Sequence, residues 1–457
     1  MKRLLSLILT LGLLLGLGAC AENPESSQQA EKVFQAGFGR ADMTPDFSLG
    51  LSGYDNAQTR RSTGVKDHIY MTCVAMSDGE QTVLLITADL LGLNNALIER
   101  IRTPVYLGTG VPIENIFVGA TRTHSAPDFS INDAQQTQFM QLFYDAANKC
   151  ATAAMADMAP AKLQATTAEF PDMTFVRHYL MNDGTYFGSN FGSNKSGYKE
   201  HATEKDAQMV LLKLDREEKK DILMVNWQAH PASAAREYDY TAVSADFVGP
   251  LRTKVENETG MHVAYYTGAA GNTNKDSRIE SEKHGLDFRK YGEKIAEHVV
   301  ANVPNLTPVE ASGIQTAKLD FNAEIDHSWD HMIKEANEVF DLWKTVGKEA
   351  GDNLGKTYGF ASSYQARAIR TRYDKPATEV RQLRAFRVGP IGFTTGTYEM
   401  FSDHAEYVKE NSPFDITFVI TGCSGYIPNK AAYEYRSYES DTGFYASGTG
   451  EKWQKSM

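Results

Sequence analysis

Apolar positions gather into short runs along this chain. The runs at 70–76, 82–87, 116–120, 208–214, 222–227, 262–267, 386–393 and 416–421 are β-branched or apolar almost throughout, the pattern of strands covered on both faces. Between several of them apolar residues recur at helical spacing, and 94–102, 134–156 and 288–303 each read as an amphipathic helix that follows a strand. A more charged helical pattern at 326–348 reads as an excursion over the surface. Strands alternating with helices predict a layered α/β/α domain around a mostly buried mixed sheet. In such folds ligands collect where loops leave the strand ends.

No repeat, low-complexity run or Pro/Gly linker interrupts the chain beyond residue 33, so 34–457 is expected to be one domain. Hydrophobic residues make up 42% and charged residues 23%, which excludes a disordered chain. With 46 Lys+Arg against 58 Asp+Glu the formal charge is −12, which argues against a nucleic-acid binder. Four cysteines without a CxxC pair exclude a disulfide scaffold, and Cys73, Cys150 and Cys423 read as small core residues.

The N-terminus changes the picture. Lys2 and Arg3 precede an apolar stretch from Leu4 to Leu17, too short for a membrane span. The ending Leu17-Gly-Ala-Cys20 resembles the bacterial lipoprotein box, in which the cysteine is lipidated and becomes the mature N-terminus. That resemblance implies a signal peptide at 1–19, a lipidated Cys20 and a flexible tether at 20–33. Cleavage there moves the formal charge from −12 to −14. The expected location is the bacterial cell envelope, with the membrane reached through the lipid alone.

Chemistry-bearing residues sit directly after the predicted strands. The segments are Ala120-Thr-Arg-Thr-His-Ser-Ala-Pro127, Asn226-Trp-Gln-Ala-His-Pro231, Gly268-Ala-Ala-Gly-Asn-Thr-Asn274 and Gly396-Thr-Tyr-Glu-Met400, with Gly425-Tyr-Ile-Pro428 running on to Tyr438 and Glu439. Neutral imidazoles at His124 and His230 and a carboxylate at Glu399 are donors that suit a metal. Each alone is as well explained as a hydrogen-bonding loop residue. His327 and His331 have helical metal-pair spacing but lack the adjacent glutamate, and with Asp326 and Asp330 they read as a solvated face. No G-x-S-x-G elbow, P-loop or G-x-G-x-x-G fingerprint is present.

Taken in order, these segments resemble the catalytic domain of the neutral ceramidase family, zinc amidases that cleave the N-acyl bond of ceramide. The likeness begins at Ala36-Gly-Phe-Gly-Arg-Ala-Asp-Met-Thr-Pro45 and continues through Asp67-His-Ile-Tyr70 and Ala88-Asp-Leu-Leu-Gly92 to Glu439. It implies that His230, Glu399 and Tyr426 hold a zinc ion, with His124 as a further ligand or as general acid/base. It implies that Tyr438 and Arg177 stabilise the reacting carbonyl, and that Asp246 orients a ligand histidine from behind. The implied substrate is small or lipid-like, with an acyl bond, and the family's C-terminal β-sandwich is expected to have no room in this chain.

Two positions depart from the family pattern. Where ceramidases carry a zinc-binding histidine this chain has Arg122, which cannot ligate a cation. Either His124 takes over coordination, or the metal is weak or absent. Where ceramidases carry a nucleophilic serine this chain has Asn274, whose amide, with that of Asn272, suits substrate binding. Two readings follow: a zinc-dependent hydrolase in which metal-activated water attacks an acyl bond, and an inactive ceramidase-like protein that binds an anionic, lipid or glycan ligand. Arg122 is expected either to pair with an acidic residue, Asp128 or Asp246 being nearest in the motifs, or to bind an anionic substrate group.

Overall fold

A computed structural model of the chain describes residues 33–457 except 55–56, 189–196, 276–278, 280–284, 397 and 423–424. Signal peptide, Cys20, most of the tether and Cys423 lie outside the described residues. Val33–Met457 forms one compact unit. No helix among the described residues is long and apolar enough to cross a membrane.

A nine-stranded sheet runs in the order His262–Thr267, Ile222–Trp227, Gln208–Arg216, Ala159–Glu169, Gln35–Asp42, Tyr70–Ser77, Thr82–Ala88 and Ile116–Ala120, with Thr307–Val309 beside Ala159–Glu169. Its two ends are parallel pairs and its middle is antiparallel. Each parallel pair needs a crossover helix, supplied by Asn95–Thr109 at one end and Val248–Thr259 at the other. The layered α/β architecture with a large mixed sheet is as the sequence predicts.

One face of this sheet is covered by helices. Asn95–Thr109 and Ala134–Ala156 pack on one half, Val248–Thr259 and Phe288–Asn302 on the other. The opposite face meets a second sheet, ordered Ile314–Glu324, Thr378–Val388, Ile391–Gly396 and Ile416–Thr421. Phe38, Val74, Leu85, Val210 and Met224 of the first sheet and Ile314, Phe386, Phe393 and Phe418 of the second share one core. The Phe386, Phe393 and Phe418 rings stack at 4.3 and 4.9 Å. Ser402–Asn411 and Thr449–Gln454 close the outer face of the second sheet.

Two sequence expectations need revision. The run 386–393 is not one strand but a hairpin between Thr378–Val388 and Ile391–Gly396, because Gly389 at φ 55° and Pro390 turn the chain. The charged pattern at 326–348 becomes a shorter helix, Ile333–Thr345, followed by Lys348–Thr357 and Ser363–Tyr373. His327 there bonds Asp330 at 2.7 Å and Asp326 pairs with Arg372, while His331 is exposed and stacks on Trp329 at 6.2 Å.

Candidate active site

The site lies where loops leave the C-terminal ends of parallel strands in both sheets. Ile116–Ala120 leads to Arg122 and His124, and Ile222–Trp227 leads to His230. In the second sheet Ile391–Gly396 leads to Glu399 and Ile416–Thr421 to Tyr426. Glu399 and Tyr426 are register partners in a short parallel bridge, which sets their side chains next to each other. A cavity of about 300 Å³ is lined by Tyr54, Arg122, His124, Glu399, Tyr426 and Tyr438 among others, with Tyr364 and Arg367 from helix Ser363–Tyr373 on its wall.

His124 and His230 face each other, with 2.9 Å between their Nε2 atoms. His230 Nδ1 lies 2.9 Å from the Ala270 carbonyl, which fixes a proton on that nitrogen. A second proton shared between the Nε2 atoms leaves His124 Nδ1 as a bare lone pair, buried and without a hydrogen-bond partner. Burial first, then Arg122, lowers the His124 pKa; burial and then Arg177 do the same to His230. Both imidazoles are neutral at pH 7.

Arg122 is held in a left-handed backbone conformation, φ 73°, and its N–H donates to the Leu90 carbonyl at 2.9 Å. That turn sends the guanidinium into the cavity wall, where Nη1 donates to the Leu91 carbonyl at 2.7 Å and Nη2 forms a buried ion pair with Glu399 Oε2. An acidic partner was expected, but the acid is Glu399 and not Asp128 or Asp246. Burial raises the Glu399 carboxyl pKa, with Arg122 and Arg177 opposing, and its other neighbour is the Tyr426 hydroxyl.

Arg177 sits one layer deeper. Its Nε donates to Glu439 at 2.8 Å, and Nη2 to the Gly271 carbonyl at 2.8 Å and the Tyr426 hydroxyl at 3.3 Å. Glu439 also meets His178 Nε2 at 2.7 Å, and His178 Nδ1 meets the Tyr435 hydroxyl at 2.8 Å. Burial works against charge on Arg177, but Glu439 and Tyr426 hold it protonated. Tyr438, at the start of helix Tyr438–Thr442, lies edge-on to Tyr426 at 5.9 Å and to Tyr364 at 6.1 Å. Burial pushes its phenol up to about 12, so it is a neutral donor.

Three expected residues take other places. Asp246 contacts no imidazole: its carboxylate accepts from the Ser233, Ala234 and Phe247 N–H groups at 2.6–2.8 Å and so braces the loop after His230. Asn272 is buried with Oδ1 accepting from Ser402 N–H at 2.9 Å, tied to a helix start and not to the cavity. Asn274 pairs with Phe175 in a two-residue bridge and is not among the cavity-lining residues. Glu439, which holds Arg177, and His178, which holds Glu439, are site residues that the sequence does not single out; Glu439 is visible there only as the neighbour of Tyr438. Tyr54, whose ring lies 4.9 Å from that of His124, carries no motif at all.

This donor set does not fit zinc. A zinc site needs three or four lone pairs aimed at one point. Here the imidazoles bond each other, and the carboxylate that would complete the set bonds a guanidinium. Among the described residues no group of three or more His, Cys, Asp or Glu side chains could hold a metal ion.

Comparison with solved structures places the architecture. Neutral ceramidase from Pseudomonas aeruginosa superposes with a TM-score of 0.69 at 14% identity, covering 93% of this chain and 73% of that one. A ceramidase complexed with C2 gives 0.67 at 14% identity, covering 93% and 74%. These likenesses show a shared fold. No curated protein matches the chain. The family model "Neutral/alkaline non-lysosomal ceramidase, N-terminal" matches residues 34–308, more than half of the chain, and the chain belongs to that family.

Proposed function

We propose that this protein hydrolyses an N-acyl amide or related acyl bond of a lipid-like substrate in the cavity beside His124. Family membership supports a hydrolase, and the single observation that carries the reading is the imidazole pair. His230, anchored on Ala270, accepts from His124 Nε2 and leaves His124 Nδ1 as the base. Water attacks the acyl carbon as its proton passes to His124. The C–N bond then breaks, and the same proton goes to the departing amine, which leaves poorly without it. The neutral Tyr438 phenol, which lines the same cavity, would donate to the carbonyl oxygen as it gains charge.

The test is amine and fatty-acid release from a panel of N-acyl amides and esters by the purified chain. General-base catalysis is worth about 10²–10⁴ in rate, so His124→Ala should lower kcat by ~100-fold or more with an unchanged circular dichroism spectrum. Full activity in that variant would remove the reading. A second reading, a binding protein without turnover, is favoured by the Arg122–Glu399 pair, which ties up two cavity-facing charges. Saturable binding of the same amides with no product released would select it.

A further inference from the structure

We propose that the Arg122 guanidinium takes the place of the divalent cation in this pocket, so that the site is built around a fixed organic cation and works without a metal. The proposal concerns the cation and stands whether or not the pocket turns substrate over.

Four observations meet at this residue. The guanidinium is buried and ion-paired with Glu399, the one carboxylate beside the Tyr426 phenol. Its second nitrogen is fixed on the Leu91 carbonyl, so the charge cannot swing away to solvent. Its backbone is fixed as well, by the Leu90 carbonyl and the left-handed turn. What remains for a metal is two imidazoles, which bond each other at 2.9 Å, and the Tyr426 hydroxyl, which already accepts from Arg177 Nη2 at 3.3 Å.

The consequence is electrostatic. A divalent ion next to His124 would have to break the imidazole pair and compete for Glu399 with a permanent positive charge already bonded to it. An arginine does not lose its proton to make room. The guanidinium meets one need the ion would otherwise meet: it neutralises Glu399. Because that charge is already compensated, the pocket suits a neutral polar group such as an amide carbonyl more than a free anion.

Zinc binding tests this directly. The purified chain, dialysed against zinc and then against buffer, should carry less than about a tenth of an equivalent by mass spectrometry of the metal, and added zinc should leave its Tm unchanged. Arg122→His restores a third imidazole and frees Glu399. That variant should hold about one equivalent and bind zinc at least ~100-fold more tightly by calorimetry, and its Tm should rise with zinc. The proposal is overturned if the unaltered chain holds one tight zinc that His230→Ala or Glu399→Gln removes. It is also overturned if Arg122→His folds but binds no zinc. Should Arg122→His fail to fold, the zinc content of the unaltered chain and of its Glu399→Gln variant decides alone. Loss of all acyl hydrolysis with these zinc results intact would overturn the proposed function and leave this inference standing.

Discussion

Glu439 has no exposed surface, and its two oxygens are divided between Arg177 and His178. Burial would raise its pKa, but His178 and then Arg177 outweigh burial and hold it down at about 2, against 4.5 for a free glutamate. As pH falls, the unfolded chain takes up this proton before the folded one. Stability from Glu439 is therefore present in full above about pH 4.5 and is lost between there and about pH 2, on the order of 3 kcal/mol. Glu439→Gln should leave the Arg177 charge buried without its partner and cost about 3–5 kcal/mol at pH 7. It should also flatten the acid loss, and urea midpoints at pH 3, 5 and 7 check both. At this scale the sequence reveals residue types better than roles. His124, His230, Glu399 and Tyr426 are legible because each follows a strand in a motif, and Tyr438 because the last of those motifs runs on to it. Asp246, Asn272 and Asn274 look equally chemical, but backbone N–H groups and bridge pairing claim them. No sequence pattern shows which of a carboxamide's neighbours will take its hydrogen bonds.

Among elements, strand Gln35–Asp42 shows how closely a helix can approach a sheet. A Cβ on Gly37 would lie 2.0 Å from the Ala154 carbonyl oxygen, and one on Gly39 1.9 Å from that of Cys150, both on helix Ala134–Ala156. The obstacles are backbone atoms, which cannot rotate aside. Gly39→Ala should force helix and strand apart and cost about 1–3 kcal/mol, read as a Tm fall of about 1–3 °C, with hydrogen exchange faster in this helix than elsewhere. A Gly-x-Gly on one strand face is readable in advance as close approach. Helix Ala134–Ala156 and strands Ile116–Ala120, Ile222–Trp227, His262–Thr267 and Ile416–Thr421 match the sequence expectation to the residue because their apolar periodicity is unbroken. Ala159–Glu169 and Ile314–Glu324 escaped it: several of their positions remain exposed, so the runs look polar.

For the whole molecule, the lipoprotein-like motif ending at Cys20 carries an expectation about location. If Cys20 carries the lipid its motif implies, expression in a bacterial host should place the protein in the membrane fraction, and Cys20→Ser should release it in soluble, folded form. Metabolic labelling with a tagged fatty acid checks the modification; labelling of the serine variant would disprove it. Stacking of the two sheets was not legible, since a strand buried by a second sheet has the same apolar pattern as one buried by helices. That stacking has a kinetic consequence. Arg122 and Arg177 extend from loops around the first sheet, whereas Glu399 and Glu439 belong to the chain that forms or follows the second, and Arg177 and Glu439 are 262 residues apart. Until the sheets dock, all four charges must stay hydrated, and a misdocked pair would trap them unpaired at a cost of several kcal/mol each. Both pairs can therefore close only when the two sheets are correctly stacked, which is expected to tie formation of the pocket to the long-range part of folding.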